Sequence, residues 1–378
     1  MSIFKRKKKE VPGFVQTSQG RSLYSAFGSF SSASPQGRCQ RKLYRSLRDA
    51  VPVIDAAINK IVRLSGGFKV VCEDKKAQVC IDDFLKNVRV NAVSNGVECF
   101  MCSYLDQLLT YGTAVGEIVP DGNGGIAALY NSSLDDVEIE NGESPLDIRI
   151  SSFDCSGVKN EVQYPELILC SAIMPEPGKI YGTSILSGLP FVTDILLKIF
   201  SAVGTNWERV GNVRFAVTYK PQDSDRSFTK ERAMMIASEW GKAMKSREPK
   251  DFIAVGDVSI KAIGADNQIP DCEMPVRCIT EQIVSKLSIP PFLLGLNWSS
   301  TEKMSAQQAD ILTSELEYYR RVLDFPLRKI CSMFLRLSGF DTGFDIVWDN
   351  INLQDEVELA KARLYNAQAQ SLEKSDKE

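Results

Sequence analysis

Cys99 and Cys102 stand in a C-x-x-C inside the run VECFMCSYLDQLL, a spacing that suits a dithiol redox pair or half of a zinc site. A zinc site needs two further ligands, and the 378 residues contain no histidine. That absence also removes Ser-His-Asp and Cys-His nucleophiles and every histidine-based metal centre. The run around the two thiols is helix-like, so both are expected to pack in a core. The other cysteines, Cys39, Cys72, Cys80, Cys155, Cys170, Cys272, Cys278 and Cys331, are scattered. Free, mostly buried thiols in a reducing cytoplasm are expected. The first residues carry charges with no apolar segment after them, so no signal peptide is expected. Gly178-Lys179 and Gly241-Lys242 lack the first glycine and the following Ser/Thr of a phosphate-binding loop. PDGNGGI, at Pro120–Ile126, lacks the spaced carboxylates of a calcium loop and reads as a hairpin turn. These observations leave no catalytic residue, no metal ligand set and no cofactor site, and an enzyme is the weakest reading of the chain.

A different candidate remains. After the double proline Pro290-Pro291 comes a polar stretch, Trp298, Ser299, Ser300, Thr301, Glu302, Lys303 and Met304, with one aromatic, three hydroxyls, one acid and one base. Glu302 and Lys303 cancel, so the stretch is nearly neutral. Long irregular connectors in compact proteins are often functional.

The elements that would hold this loop can be read on either side. VRCITEQIVSKLSIPP carries Val276, Ile279, Ile283 and Leu287 on one stripe and is stopped by the prolines. From about Ser305 to Ser338 a long helix is expected, with Pro326 inside it. Proline cannot donate to the carbonyl of Val322 and crowds it, so a kink is expected there. Upstream, Leu47–Leu64 has helical spacing ended by Ser65–Gly67, followed by a short strand, two more helices (76–88, 97–111) and hairpin text over 112–172. Pro190 fits the first turn of another helix, in which Val192, Ile195, Leu196, Ile199, Phe200, Val203 and Trp207 recur with helical period. Asp194 and Lys198 argue against a membrane span. The consecutive Ile195, Leu196 and Leu197 extend apolar surface around more than one face, which needs cover from several sides. Strand text at 213–221 and 252–264 encloses a helix near 227–246, and a polar-rich helix is expected at about 355–373.

Composition bounds the partners. At 44% apolar and 25% charged the chain is ordinary globular protein. Net charge is −3, so a surface built for tight nucleic-acid binding is not expected. The first 46 residues form a flexible arm whose basic cluster, Lys5, Arg6, Lys7, Lys8 and Lys9, could tether an acidic or phosphate-rich partner.

The order of elements, with YGTSILSGLP before the first long helix, IPPFLLG after the second and STEKMSAQQADILTSELEYYRRVLDFPLRKI beyond, resembles the portal proteins of tailed bacteriophages over roughly residues 45–365. The basic start MSIFKRKKK is similar too. The resemblance implies an α+β, portal-like subunit: basic arm 1–46; α/β wing 47–185; first stem helix 186–211; small α/β clip 212–265; second stem helix 266–289; tunnel loop 290–304; long kinked wing helix 305–340; short helical crown 341–378. It implies a homo-oligomeric ring, usually of twelve, at one capsid vertex of the virion, assembled in the host cytoplasm. Double-stranded DNA would pass through without sequence reading. Major capsid and scaffold proteins, the terminase large subunit and head-tail adaptor proteins would be partners, and no membrane or cofactor is implied. Trp298–Met304 would narrow the channel. DNA carries about one charge per 1.7 Å of axis, so a loop that lets it slide should avoid phosphate clamps, and hydroxyls touch phosphates without reading sequence. Trp298 is expected to pack on its own subunit rather than stack on DNA. The competing reading is a phage structural adaptor or connector without a DNA channel.

Overall fold

Pro52 divides the first apolar stretch in two. It sits at the first position of a helix, where a missing N–H costs nothing, and helix α2 (Pro52–Leu64) starts there. Ahead of it lies α1 (Arg38–Ala50), where the sequence alone predicts the end of a flexible arm and the start of a single helix. Leu43, Tyr44 and Leu47 are buried, which is why this segment is held in the body. The computed structural model describes residues 38–351, apart from 123, 145–146, 154–156, 212–213, 220–257 (save 234, 235 and 238), 264–271 and 297–301.

The described residues fall into two compact units, one drawn from 1–194 and 279–378, the other from 195–278. The first is built around α4 (Val97–Tyr111). Phe100, Met101, Tyr104, Leu105, Leu108 and Leu109 of that helix are buried, and α1, α2, strands and further helices pack around it. α2 ends at Ser65–Gly67 and leads into β1 (Phe68–Cys72), which is followed by α3 (Lys75–Asn87), capped by the Asp74 carboxylate on the Lys76 N–H. Two short strands, β2 (Arg89–Val90) and β3 (Ser94–Asn95), precede α4. After it come β4 (Thr113–Pro120), β5 (Ile126–Asn131), β6 (Val137–Asn141), β7 (Ile148–Phe153), β8 (Lys159–Glu161) and β9 (Ile168–Ala172).

The hairpins expected from the sequence are present as β4–β5 and as the antiparallel sheet β6-β7-β8. The larger sheet, in the order β3-β2-β5-β4-β9, also contains a parallel pair, β2 with β5, which the alternation of residues did not announce. Its two strands meet over only two residue pairs, Arg89↔Ala128 and Val90↔Leu129, too short a stretch to show a period.

Helix α5 (Leu189–Gly211) leads into the second unit, where β10 (Arg214–Tyr219) and β11 (Val258–Ile263) pair antiparallel. Helix α6 (Glu273–Lys286) returns to the first. There α7 (Glu302–Leu337) lays Ala309, Leu312, Leu316, Tyr319, Leu323, Leu327, Cys331 and Leu335 into the core at three- and four-residue steps. Phe334 of α7 stacks on Phe84 of α3 with centroids 3.9 Å apart. Strand β12 (Phe344–Trp348) then pairs antiparallel with β1. Its residues fall in the stretch that the family resemblance assigns to a terminal crown. The polar-rich helix expected at 355–373 lies outside the described residues.

The two YGT tripeptides explain a further feature. Gly112 has φ 80 and Gly182 lies against it. A Cβ on Gly112 would sit 2.6 Å from the Ser184 nitrogen, and one on Gly182 would overlap the carbonyl oxygens of Gly112 and Ile173. Thr113 Oγ1 accepts from the Gly182 N–H at 2.9 Å, and Thr183 N–H donates to Ile173 O at 2.7 Å. Glycine at both crossings is what lets the chain before α5 lie flat on the end of α4.

Candidate channel loop and its anchorage

The approach to the loop is more regular than its sequence suggests. α6 gives way to Leu287 and Ile289, both buried, around Ser288, whose φ is 53. Pro290 enters extended, and Pro291–Leu294 forms a 3-10 turn against α2, closed by Gly295 with φ 75. The Leu293 N–H donates to Pro290 O and the Leu296 N–H to Pro291 O, each at 3.1 Å. α7 begins at Glu302, three residues before the expected Ser305. The expected connector of more than ten irregular residues is therefore reduced to the short run between Leu296 and Glu302.

Trp298, Ser299, Ser300 and Thr301 lie outside the described residues, as do Lys5, Arg6, Lys7, Lys8 and Lys9. Glu302, Lys303 and Met304 belong to the first turn of α7 rather than to a loop, and Met304 is about half exposed. Pro326 is buried, and α7 continues through it without interruption. Thus the loop is a short span between a packed 3-10 turn and a long core helix.

That helix is fixed by one buried cation. Arg320 is 8% exposed. Its Nε donates to Ser65 O at 2.8 Å, and its Cζ lies 5.3 Å from the Trp348 ring centroid. Burial lowers its pKa, with Asp349 and Glu317 opposing the shift. Gly66 and Gly67 leave room for the guanidinium and for the Asp349 carboxylate. Arg320 thereby ties α7 to the α2–β1 turn and to β12. The visible sign was SGG followed far downstream by an arginine on an apolar stripe, a signal too diffuse to assign from sequence. Beside this node Glu317, Arg320, Arg321, Asp324 and Trp348 line an open cleft of about 450 Å³. Asp324 accepts from Arg328 at 2.6 Å. The cleft offers charge and one aromatic face but no nucleophile.

Other anchors repeat the pattern of one cation joining several elements. Arg48 of α1 donates to Asp55 at 2.9 Å, Asp106 at 2.7 Å and Thr110 at 2.8 Å. Lys329 of α7 donates to Ile168 O at 2.8 Å, and burial lowers its pKa.

The thiols are arranged otherwise than expected. Cys99 and Cys102 are both exposed, because Phe100, Met101, Tyr104 and Leu105 take the core-facing positions of α4 and leave them the outer strip. Among the described cysteines only Cys331 is buried. Its thiol is pushed up to about 12, chiefly by burial. Among the described residues no group of three or more Cys, Asp or Glu could hold a metal ion, and no helix is long and apolar enough to cross a membrane.

On α5 the apolar excess is real but differently placed. Leu196 is buried and Leu197 partly so, whereas Phe191 (75% exposed), Ile195, Phe200 and Trp207 (62%) face outward. At about 100° per residue, Phe191 and Ile195 share one face of the helix and Phe200 and Trp207 nearly the opposite one.

No family profile and no curated protein matches this sequence. Solved structures do. A chain of the virion of the native gene transfer agent (GTA) particle aligns at TM-score 0.66 with 14% identity, covering 88% of this chain and 89% of that one. A chain of the neck of the native GTA particle, computed with C12 symmetry, aligns at 0.63 with 14% identity over 86% and 88%. This chain has their fold. The α+β architecture read from the motifs is thus met at the level of the fold. An HK97-family phage portal protein from Corynebacterium diphtheriae aligns more loosely, at TM-score 0.46 with 13% identity over 81% and 94%.

Proposed function

We propose that the chain is a portal subunit: copies close into a ring of twelve at one capsid vertex, through which double-stranded DNA is packaged and released. The observation that carries this reading is the fold shared over nearly the whole length with a neck chain from a particle reconstructed with twelvefold symmetry. α5 adds support. An isologous dimer needs one self-complementary patch, whereas a head-to-tail ring needs two different ones. A helix exposing Phe191 and Ile195 on one face and Phe200 and Trp207 on the other is suited to neighbours on both sides.

In this reading α5 and α6 are the stem, residues 212–265 the clip that meets the terminase large subunit and later the head-tail adaptors, and Trp298–Met304 the constriction. Capsid and scaffold proteins surround the wing. The near-neutral loop and a chain of net charge −3 suit a polyanion that must slide rather than bind. Electron micrographs of the purified protein test the proposal. Rings with a central hole and a flared rim are expected. A protein that stays monomeric at high concentration and low temperature overturns it.

A further inference from the structure

The two-stranded sheet β1–β12 is sealed on one side and open on the other. In an antiparallel pair, alternate residues turn their N–H and C=O toward the partner and the rest turn them outward. The bonds Asp349 N–H to Gly67 O at 3.0 Å and Glu73 N–H to Gly343 O at 3.3 Å fix which is which. Phe68, Val70 and Cys72 face outward on β1, and Phe344, Ile346 and Trp348 on β12. The β1 edge is closed by one side chain. Gln78 of α3 accepts from the Cys72 N–H at 2.7 Å and donates to Val70 O at 2.8 Å, as an added strand would. Among the described residues nothing pairs with the outward groups of Phe344, Ile346 and Trp348. An open edge of this kind is a template for a further strand.

The chain outside the described residues offers two candidates. Residues 352–378 are rich in Ala, Glu, Leu, Lys and Gln, which favour helix. Residues 1–37 are different. They carry five aromatics, Phe4, Phe14, Tyr24, Phe27 and Phe30, about 14% against 9% in the whole chain, where a merely solvated tail would be poor in them. Val11, Phe14, Val15, Thr17, Tyr24, Phe27 and Phe30 are strand-forming types. The run from Asp341 to Asp349 holds three exposed carboxylates, of which Asp349 faces Arg320 and Asp345 faces Arg328, and the arm begins with Lys5–Lys9. The eight residues from Phe30 to Arg38 span up to about 26 Å when extended, and segments nearer the start of the arm reach further.

We infer that a segment of the N-terminal arm within residues 11–30, from the same or a neighbouring copy, adds to β12 as a third strand, with an aromatic side chain seated in the cleft beside Trp348. The inference does not rest on the portal reading, because strand addition does not require a ring.

The test uses the full-length chain with a photo-crosslinking benzophenone amino acid at Phe14, Tyr24 or Phe27, and mass spectrometry of the products. At least one probe should link to the peptide bearing 341–351, within a chain or, in mixtures of light and heavy-isotope protein, between chains. Both patterns support the inference. Ile346→Pro removes an outward N–H while leaving the β1 ladder intact, and should cut that link at least tenfold. Should Ile346→Pro fail to fold, replacing Val15 and Phe30 with serine in the Phe27 probe chain should cut its link similarly without touching the folded body. Links only to other surfaces, no links, or yields unchanged in the variants overturn the inference. Either result can be obtained whether the particles in micrographs are rings or not.

Discussion

Arg320 is the clearest case of a single side chain that the fold depends on. It is surrounded by elements from three separate parts of the sequence, and its hydrogen bond to Ser65 O spans 255 positions. Arg320→Met keeps the volume but leaves that buried carbonyl unpaired, and should cost about 2 kcal/mol, read as a lower denaturant midpoint. Cys331 gives a prediction in pH. Its folded pKa is raised to about 12 from a reference of 9.0, so the folded state holds the proton more tightly than the unfolded chain. The stability this contributes is complete below pH 9 and is lost as pH rises from 9 toward 12. Alkaline denaturation should therefore be shallower in Cys331→Ala than in the parent over that window. In the native parent at neutral pH, Cys331 should resist alkylation until unfolding, while the exposed Cys99 should be alkylated in the folded chain. Residue-level reading from sequence was weakest here. The C-x-x-C looked like core because its neighbours are apolar, but alternation around a helix, not neighbourhood, decides which positions point inward.

Helices were the most legible elements, since α3, α4, α5, α6 and α7 each carry a sustained 3.6-residue stripe. Strands of two residues, and the parallel pair between β2 and β5, carry no period and were not legible. Nor was the split between α1 and α2, although Pro52 marked it. The crossing of Gly112 and Gly182 was present in the sequence only as a repeated YGT. Its role appears once the two backbones are seen in contact. Gly182→Ala should destabilise by more than about 3 kcal/mol, well above the common range for single substitutions, because the new Cβ meets rigid carbonyls. Gly204, on the outside of α5 with nothing within 4 Å of where a methyl would stand, is the control. Its alanine variant should gain up to about 1 kcal/mol. Urea titrations of the two variants check both.

At the level of the whole molecule, order of elements and wording of motifs were enough to point to the α+β fold that the GTA virion and neck chains share, while the loop that motivated the portal reading is only partly described. Its function has a direct test. If the chain is the proposed portal subunit, replacing Ser299, Ser300 and Thr301 with lysine adds three phosphate clamps per subunit, and should impair genome translocation while rings still assemble. Normal packaging in that variant would remove the loop from the channel. The helix behind the loop carries a consequence of its own. From Glu302 to Phe325, α7 contains neither glycine nor proline and has no break, and Arg320 clamps it about 27 Å from its start. A force applied at its first turn has no joint in which to dissipate. It is carried along an unbroken helix as far as Arg320, the side chain that joins α7 to the α2–β1 turn and to β12.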